Sequence, residues 1–378
     1  MSAVVLGTGA VTPAGATAAE TWRLLLEGYA APRAPVPQPL RSRTYNYCAV
    51  PEKFVRSVTR QPRLRRSGNL SLLGAVAAFD ALNDAGVEIT PEFSARCAVV
   101  YGVSSGGVQY TRRFYHGVVA EGAQAASPLL FPETVFNAPA SHLAALLGVD
   151  GQSYTLVGDS AVGMAALHFA GEILQTEAET DYVLVVGTEE VDWLLPDAFG
   201  AWRLISRDGH CEVYGKRTGT VFGEGAAAML LAREGEGPRL IRSHPGQSFF
   251  SQADAVAVTP GVLREVLAGV RPDAVIASAN GTFVDGAERE AFLELDLTTP
   301  VYAYKPALGE ALGAAAVLQA VLAVRALRQQ ALPGTLAAGS RCPSVNRQSR
   351  ELTLANVLVT AVGFNQQVGA MLLSHEQP

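Results

Sequence analysis

Short apolar runs alternate with longer Ala/Leu-rich stretches of helical period along the whole chain, which is the pattern of an α/β fold. Residues 4–6 read as a buried strand ending in Gly7-Thr8-Gly9. A helix follows over 17–26, with Thr17 as its N-cap and Gly28 past its end. A long Ala/Leu-rich helix spans 67–85 and stops at Gly86. Strands are predicted over 98–103, 154–157, 182–186 and 225–232, and a helix over 161–175. The second half has strands over 274–277, 301–303, 356–361 and 369–373, and helices over 285–295 and 309–327. Residues 154–175 and 301–327 each read as strand, tight turn and Ala-rich helix, which suggests an internal duplication. The stretch 233–238, with two glycines and a proline, is the natural joint between an N-terminal half, 1–235, and a C-terminal half, 236–378. A turn that feeds a helix puts its side chain where unpaired N–H groups favour negative charge, a good place for a nucleophile or an oxyanion.

Composition narrows the picture. Of 378 residues, 49% are hydrophobic and only 17% charged, which fits one large body with a deep core and room for a subunit interface. The net charge of −6 argues against a nucleic-acid partner, because phosphate contacts need clustered Lys and Arg. The local exception carries Arg60, Arg63, Arg65 and Arg66, and reads either as a solvated loop or as a docking patch for an acidic partner. Cys48, Cys97, Cys211 and Cys342 show no CxxC pair and no metal-ligand spacing. They read as scattered reduced thiols of a cytoplasmic protein, and no metal site is expected. The N-terminus lacks the basic stretch of a signal peptide, and no apolar run reaches the roughly 20 residues of a membrane span.

Landmarks over more than 350 residues then fall into a known order. Gly7, Gly9, Pro13, Gly15, Trp22, Leu25 and Gly28 form an opening strand and helix. Ala77, Ala78, Ala81, Leu82, Asp84, Ala85 and Gly86 give an AAxxALxDAG helix. Ser127-Pro128, Phe131-Pro132, Val135, Asn137, Leu143 and Gly148 lead toward the centre. Gly223-Glu224-Gly225-Ala226, Leu332-Pro333 and Gly363-Phe364 follow. In this order the sequence resembles the β-ketoacyl synthases, the condensing enzymes of fatty-acid and polyketide synthesis. The resemblance implies the layered αβαβα thiolase fold of two similar halves, usually dimeric, with acyl tunnels at the dimer interface.

At the family's catalytic positions the resemblance departs. The nucleophilic Cys is matched by Ser160 within Gly158-Asp159-Ser160-Ala161, with Asp159 in place of a small residue. A helix N-terminus activates a thiol, but a Ser also needs an adjacent base. The first His, before Gly-Thr, is matched by Asn280, which donates a hydrogen bond but carries no proton in or out. The second His, ending Lys-x-x-x-Gly-His, is matched by Glu310 after Lys305. An ionised Glu cannot donate to an enolate and would repel it. Glu310 reads either as an ion-pair partner of Lys305 holding a helix start or as a base for Ser160. Phe364 falls on the family's gating Phe, with Asn365-Gln366-Gln367 where glycines are usual, so a stiffer gate is expected. Phe131 and Asp159 are further tunnel or gate candidates. The six histidines, among them His168 on the central helix, match neither catalytic position.

Three functions follow from this reading. The first is a non-condensing, chain-length-factor-type subunit of a bacterial type II polyketide or fatty-acid synthase. It would form a heterodimer with an active ketosynthase and shape its acyl tunnel. The second is an acyltransferase or hydrolase acting through Ser160 on acyl-ACP or acyl-CoA; the chain would pair with an active ketosynthase or form a homodimer. The third is condensation by a Ser variant. All imply an acyl carrier protein as partner and its phosphopantetheine as transient ligand, with no permanent cofactor.

Overall fold

The structure is a computed structural model and describes residues 3–36, 44–365 and 367–375; Gln366 of the gating stretch lies outside them. The sheet strands in chain order are β1 (Ala3–Val11), β2 (Cys97–Val103), β3 (Ser153–Val157), β4 (Tyr182–Glu189) and β5 (Gly225–Ala232). They continue with β6 (Arg239–Ser248), β7 (Ala274–Ile276), β8 (Val301–Tyr302), β9 (Asn356–Val362) and β10 (Gln367–Ser374). The ten form one sheet in the order β8-β7-β9-β10-β6-β1-β5-β4-β2-β3.

That order contains a repeat. On the N-terminal side it runs third, second, fourth, fifth, first, and on the C-terminal side the same. The pairings repeat as well: β2 is parallel to β3 and β4, and β7 to β8 and β9. The fourth and fifth strands of each unit, and the fifth and first, are antiparallel. The units join where Ala3 and Val4 of β1 face Leu240 and Arg239 of β6.

The helices that matter are α1 (Asn69–Asp84), α2 (Val108–Glu121), α3 (Val162–Thr176), α4 (Gln252–Leu267), α5 (Val284–Glu294) and α6 (Leu312–Gln329). α3 and α6 contact each other and strands of both units, so they form the middle layer. α1 covers the N-terminal unit from outside, and α4 with α5 covers the other. This is the αβαβα layering of the thiolase fold. α6 is apolar and long enough to cross a membrane, but 89% of it is buried in the protein, as a core helix must be.

Several boundaries differ from the sequence reading for local reasons. β1 runs through Gly7 and Gly9 instead of ending there. These glycines let α1 lie directly on the strand. A Cβ on Gly7 would fall 2.1 Å from the Ala81 carbonyl oxygen, and one on Gly9 2.0 Å from that of Ala77. The helix expected over 309–327 begins later. Gly309 turns the chain at φ +86°, Glu310 bridges Phe222 in extended form, and α6 starts at Leu312. Thr17 caps its helix by accepting from the Glu20 N–H at 3.1 Å. All four cysteines are free and buried.

Candidate functional site

The loops between β7 and α5, and between β8 and α6, bring Asn280, Lys305 and Glu310 together beneath the middle layer. Lys305 Nζ donates to Glu310 Oε2 at 2.7 Å and to the Ser278 carbonyl at 2.9 Å. Asn280 Nδ2 donates to the same Glu310 oxygen at 2.9 Å. The other oxygen, Oε1, accepts the Leu312 N–H at 3.2 Å, at the start of α6. Asn280 Oδ1 accepts from the Thr282 hydroxyl at 2.6 Å and its N–H at 3.3 Å. All three side chains have 1% exposure or less, so every charge and amide is spent within the cluster.

A second ring of carboxylates holds this cluster. Asp285 accepts the N–H groups of Tyr214, Asn280 and Gly281, and burial pushes its carboxyl up to about 7. Glu288 accepts from Ser278 and Thr360 on one oxygen and from the Tyr214 hydroxyl on the other. On the far side of α6, Glu189 accepts the Gly313 N–H at 3.0 Å and the Ser105 hydroxyl. Burial lifts Glu189 to about 7 and its neighbour Glu190 to about 8, with Glu189, Glu224 and Asp192 adding to the rise at Glu190.

Ser160 lies in the turn that leads into α3, two residues before the first helical residue, Val162, and Asp159 Oδ1 accepts the Ala161 N–H in that turn at 3.0 Å. Ser160 is buried, and its hydroxyl has no hydrogen-bond partner among the described residues. Neither Glu310 nor Asp159 hydrogen-bonds it, so the hydroxyl has no base within hydrogen-bond reach among the described residues. Asp159 does bind the gating loop: its Oδ2 accepts the Asn365 N–H at 3.2 Å. Phe364 is buried beside it, edge-to-face on Phe199 with ring centres 4.9 Å apart.

Asp159 and Phe364 line a cavity of about 500 Å³ whose other walls include Phe199, Leu312, Phe249 and Phe283. Ser160, Asn280, Lys305 and Glu310 do not line it. Through Trp202, Leu204, Gln252 and Phe283 it adjoins a groove of about 810 Å³ lined also by Arg203, Arg207 and Arg217. Leu312 stands at the cavity wall with φ +29°, a strained angle for a side-chain-bearing residue. Phe131 lies elsewhere, half-exposed in a short turn against Phe114 of α2. His168 hydrogen-bonds Ser243 on β6. Among the described residues no group of three or more His, Cys, Asp and Glu could hold a metal. Sequence reasoning missed Phe199, Trp202, Leu312 and the groove arginines. Only Leu312 had a signal nearby, two residues after Glu310.

A family model described as the β-ketoacyl synthase N-terminal domain matches residues 2–236. The chain belongs to the β-ketoacyl synthase family. It is 30% identical over 364 residues to the 3-oxoacyl-(acyl-carrier-protein) synthase 2 of Mycobacterium tuberculosis, covering 88% of this chain and 86% of that one. Among solved structures it is similar to the ishigamide ketosynthase/chain length factor, with TM-score 0.86 at 20% identity, covering 100% of this chain and 99% of that one. A type II polyketide acyl-carrier protein in complex with its ketosynthase, bound to the hexaketide, superposes at TM-score 0.82 with 16% identity, covering 100% of this chain and 99% of that one.

In this member of the β-ketoacyl synthase family the polar groups of the cluster face one another. Glu310 accepts from both Lys305 and Asn280, so these two donors are directed onto a carboxylate. Removing one donor from an oxyanion typically costs about 2.7–4 kcal/mol of transition-state stabilisation.

Proposed function

We propose that this chain is a non-condensing, chain-length-factor-type subunit of a bacterial type II polyketide or fatty-acid synthase, working in the cytoplasm beside an active ketosynthase. The observations that carry this reading are the closed Lys305–Glu310–Asn280 cluster and a buried Ser160 hydroxyl with no hydrogen-bond partner among the described residues. A site of this kind neither activates a nucleophile nor stabilises a decarboxylated malonyl group. The same missing base argues against acyl transfer through Ser160.

Pairing with a ketosynthase is supported by the surface. β3 ends the sheet, and its outer edge has no partner strand among the described residues. Tyr154 and Val157 on it are exposed, and α2 has no buried residue although it carries the exposed Tyr115 and Val119. A free strand edge flanked by exposed apolar side chains is what a subunit interface covers. The resemblance to a ketosynthase/chain length factor structure points the same way. The equal strand orders support a division into halves at 235/236. An acyl carrier protein is supported as third partner by the exposed Arg60, Arg63, Arg65 and Arg66.

Co-expression with a homologous ketosynthase that keeps its Cys and two His tests the reading. A stable heterodimer is expected. A homodimer that ignores that partner would count against it.

A further inference from the structure

We propose that an open groove at the outer edge of the C-terminal unit docks an acidic, extended segment of a partner protein. β8 ends the sheet at the side opposite β3. Its Val301 bridges Val345 in parallel. The Val301 N–H donates to the Ser344 carbonyl at 2.9 Å, and the Asn346 N–H donates to the Val301 carbonyl at 2.8 Å. Residues 344–346 therefore extend the sheet by one short segment, and they line a groove of about 610 Å³. Thr298, Pro300, Arg347, Gln348 and Arg350 add to its walls, and no Asp or Glu is among the described residues that line it.

The walls are held in place without a partner. Asn346 Nδ2 donates to the Pro333 carbonyl at 2.7 Å and to the Gln348 carbonyl at 2.9 Å. The Ser349 hydroxyl donates to the Leu26 carbonyl at 2.6 Å. A wall fixed in this way loses little freedom when a segment docks on it.

Charge selects the occupant. The chain carries −6 overall, yet residues 311–350 contain five arginines and neither Asp nor Glu. Arg325 and Arg328 pair with Asp84, away from the groove. Arg347 donates to the Ala338 and Gly339 carbonyls, which are neutral and leave its charge uncompensated. Arg350 is exposed, and its side chain has no partner among the described residues. It stands opposite Leu332 in a short ladder, and Glu351, next along the strand, points to the other face. Asp296, near Thr298, faces Arg271 at 3.9 Å. Two arginines without a carboxylate partner, set along an extended edge, match carboxylates repeated along an extended chain. A nucleic acid fits less well, because a long polyanion also meets the repulsion of the acidic surface around the groove.

Fluorescence anisotropy of the full chain with labelled peptides tests this. The probes are a decapeptide of alternating glutamate and valine and its glutamine counterpart. The acidic peptide should bind on the order of tenfold more tightly, the worth of a charge-assisted hydrogen bond. Arg350→Glu, a change at an exposed side chain, should remove that preference, and Arg350→Lys should keep part of it. An Arg63→Glu/Arg65→Glu control should leave it intact. Equal binding of the two peptides, no binding of either, or a preference that survives Arg350→Glu would overturn the proposal. So would a preference lost in the control, or a labelled duplex DNA that binds as tightly as the acidic peptide. Pairing with a ketosynthase is proposed for the opposite end of the sheet, so either reading can fail without the other.

Discussion

Lys305 Nζ lies 2.7 Å from Glu310 Oε2, with both side chains almost fully buried. A buried pair of this kind returns little net stability over an apolar pair, but losing one member strands the other charge. Glu310→Gln should therefore lower stability by about 3–5 kcal/mol, and Lys305→Met by a similar amount. The double variant Lys305→Met/Glu310→Gln should recover a large part of the loss. Urea denaturation of the four proteins measures the coupling. Additive single losses would show that the two charges are independent.

Gly7 and Gly9 allow close contact between β1 and α1. Gly9→Ala would drive a Cβ to 2.0 Å from the Ala77 carbonyl oxygen, so strand and helix must separate. Overpacking of this kind costs about 1–3 kcal/mol or more. A lowered midpoint of thermal unfolding checks it, and an unchanged midpoint would contradict the packing.

Much of the site was legible in the sequence, because Ser160, Asn280, Lys305 and Glu310 sit at fixed spacings within recognisable motifs. Their side-chain directions were not legible. Nothing in the order of residues shows that Glu310 turns to Lys305 and Asn280 and not to Ser160. Gly7 and Gly9 read as the end of the first strand, since glycine in a strand gives no sign of which helix presses on it. β6 reads RLIRSHPGQS, too polar to stand out as a strand, and it forms through pairing with β10 and β1. α2 buries none of its residues fully, so no core pattern announced it. The cavity is assembled from Phe199, Phe249, Phe283 and Leu312, which only tertiary packing brings together.

Three buried carboxyls set a pH dependence. Folding raises Glu189 and Asp285 to about 7 and Glu190 to about 8, from ordinary values of 4.5 for the glutamates and 3.8 for the aspartate. Between those limits the folded chain holds protons that the unfolded chain has released. Stability from these groups is full below about pH 4 and is lost as pH rises through 7 to 8. Glu190→Gln should therefore stabilise the protein at pH 8.5 and have little effect at pH 4, giving a flatter curve of unfolding midpoint against pH. A parallel shift at both pH values would contradict this account.

Asp159 holds the Asn365 N–H and so ties the gating loop to the start of α3. Asp159→Ala should speed hydrogen exchange at the Asn365 amide and destabilise the protein by about 1–3 kcal/mol, because the Ala161 and Asn365 N–H groups lose their acceptor. Unchanged exchange at Asn365 would show that the loop is held by Phe364 packing alone.

The most direct measurement gives the purified chain, without a partner, an acyl carrier protein bearing malonate and a second bearing an acyl primer. Release of carbon dioxide and the mass of the carrier-bound chain are then followed. With Glu310, Asn280 and Ser160 as described, neither decarboxylation nor elongation should occur until an active ketosynthase is added. Elongation by the chain alone would contradict the account.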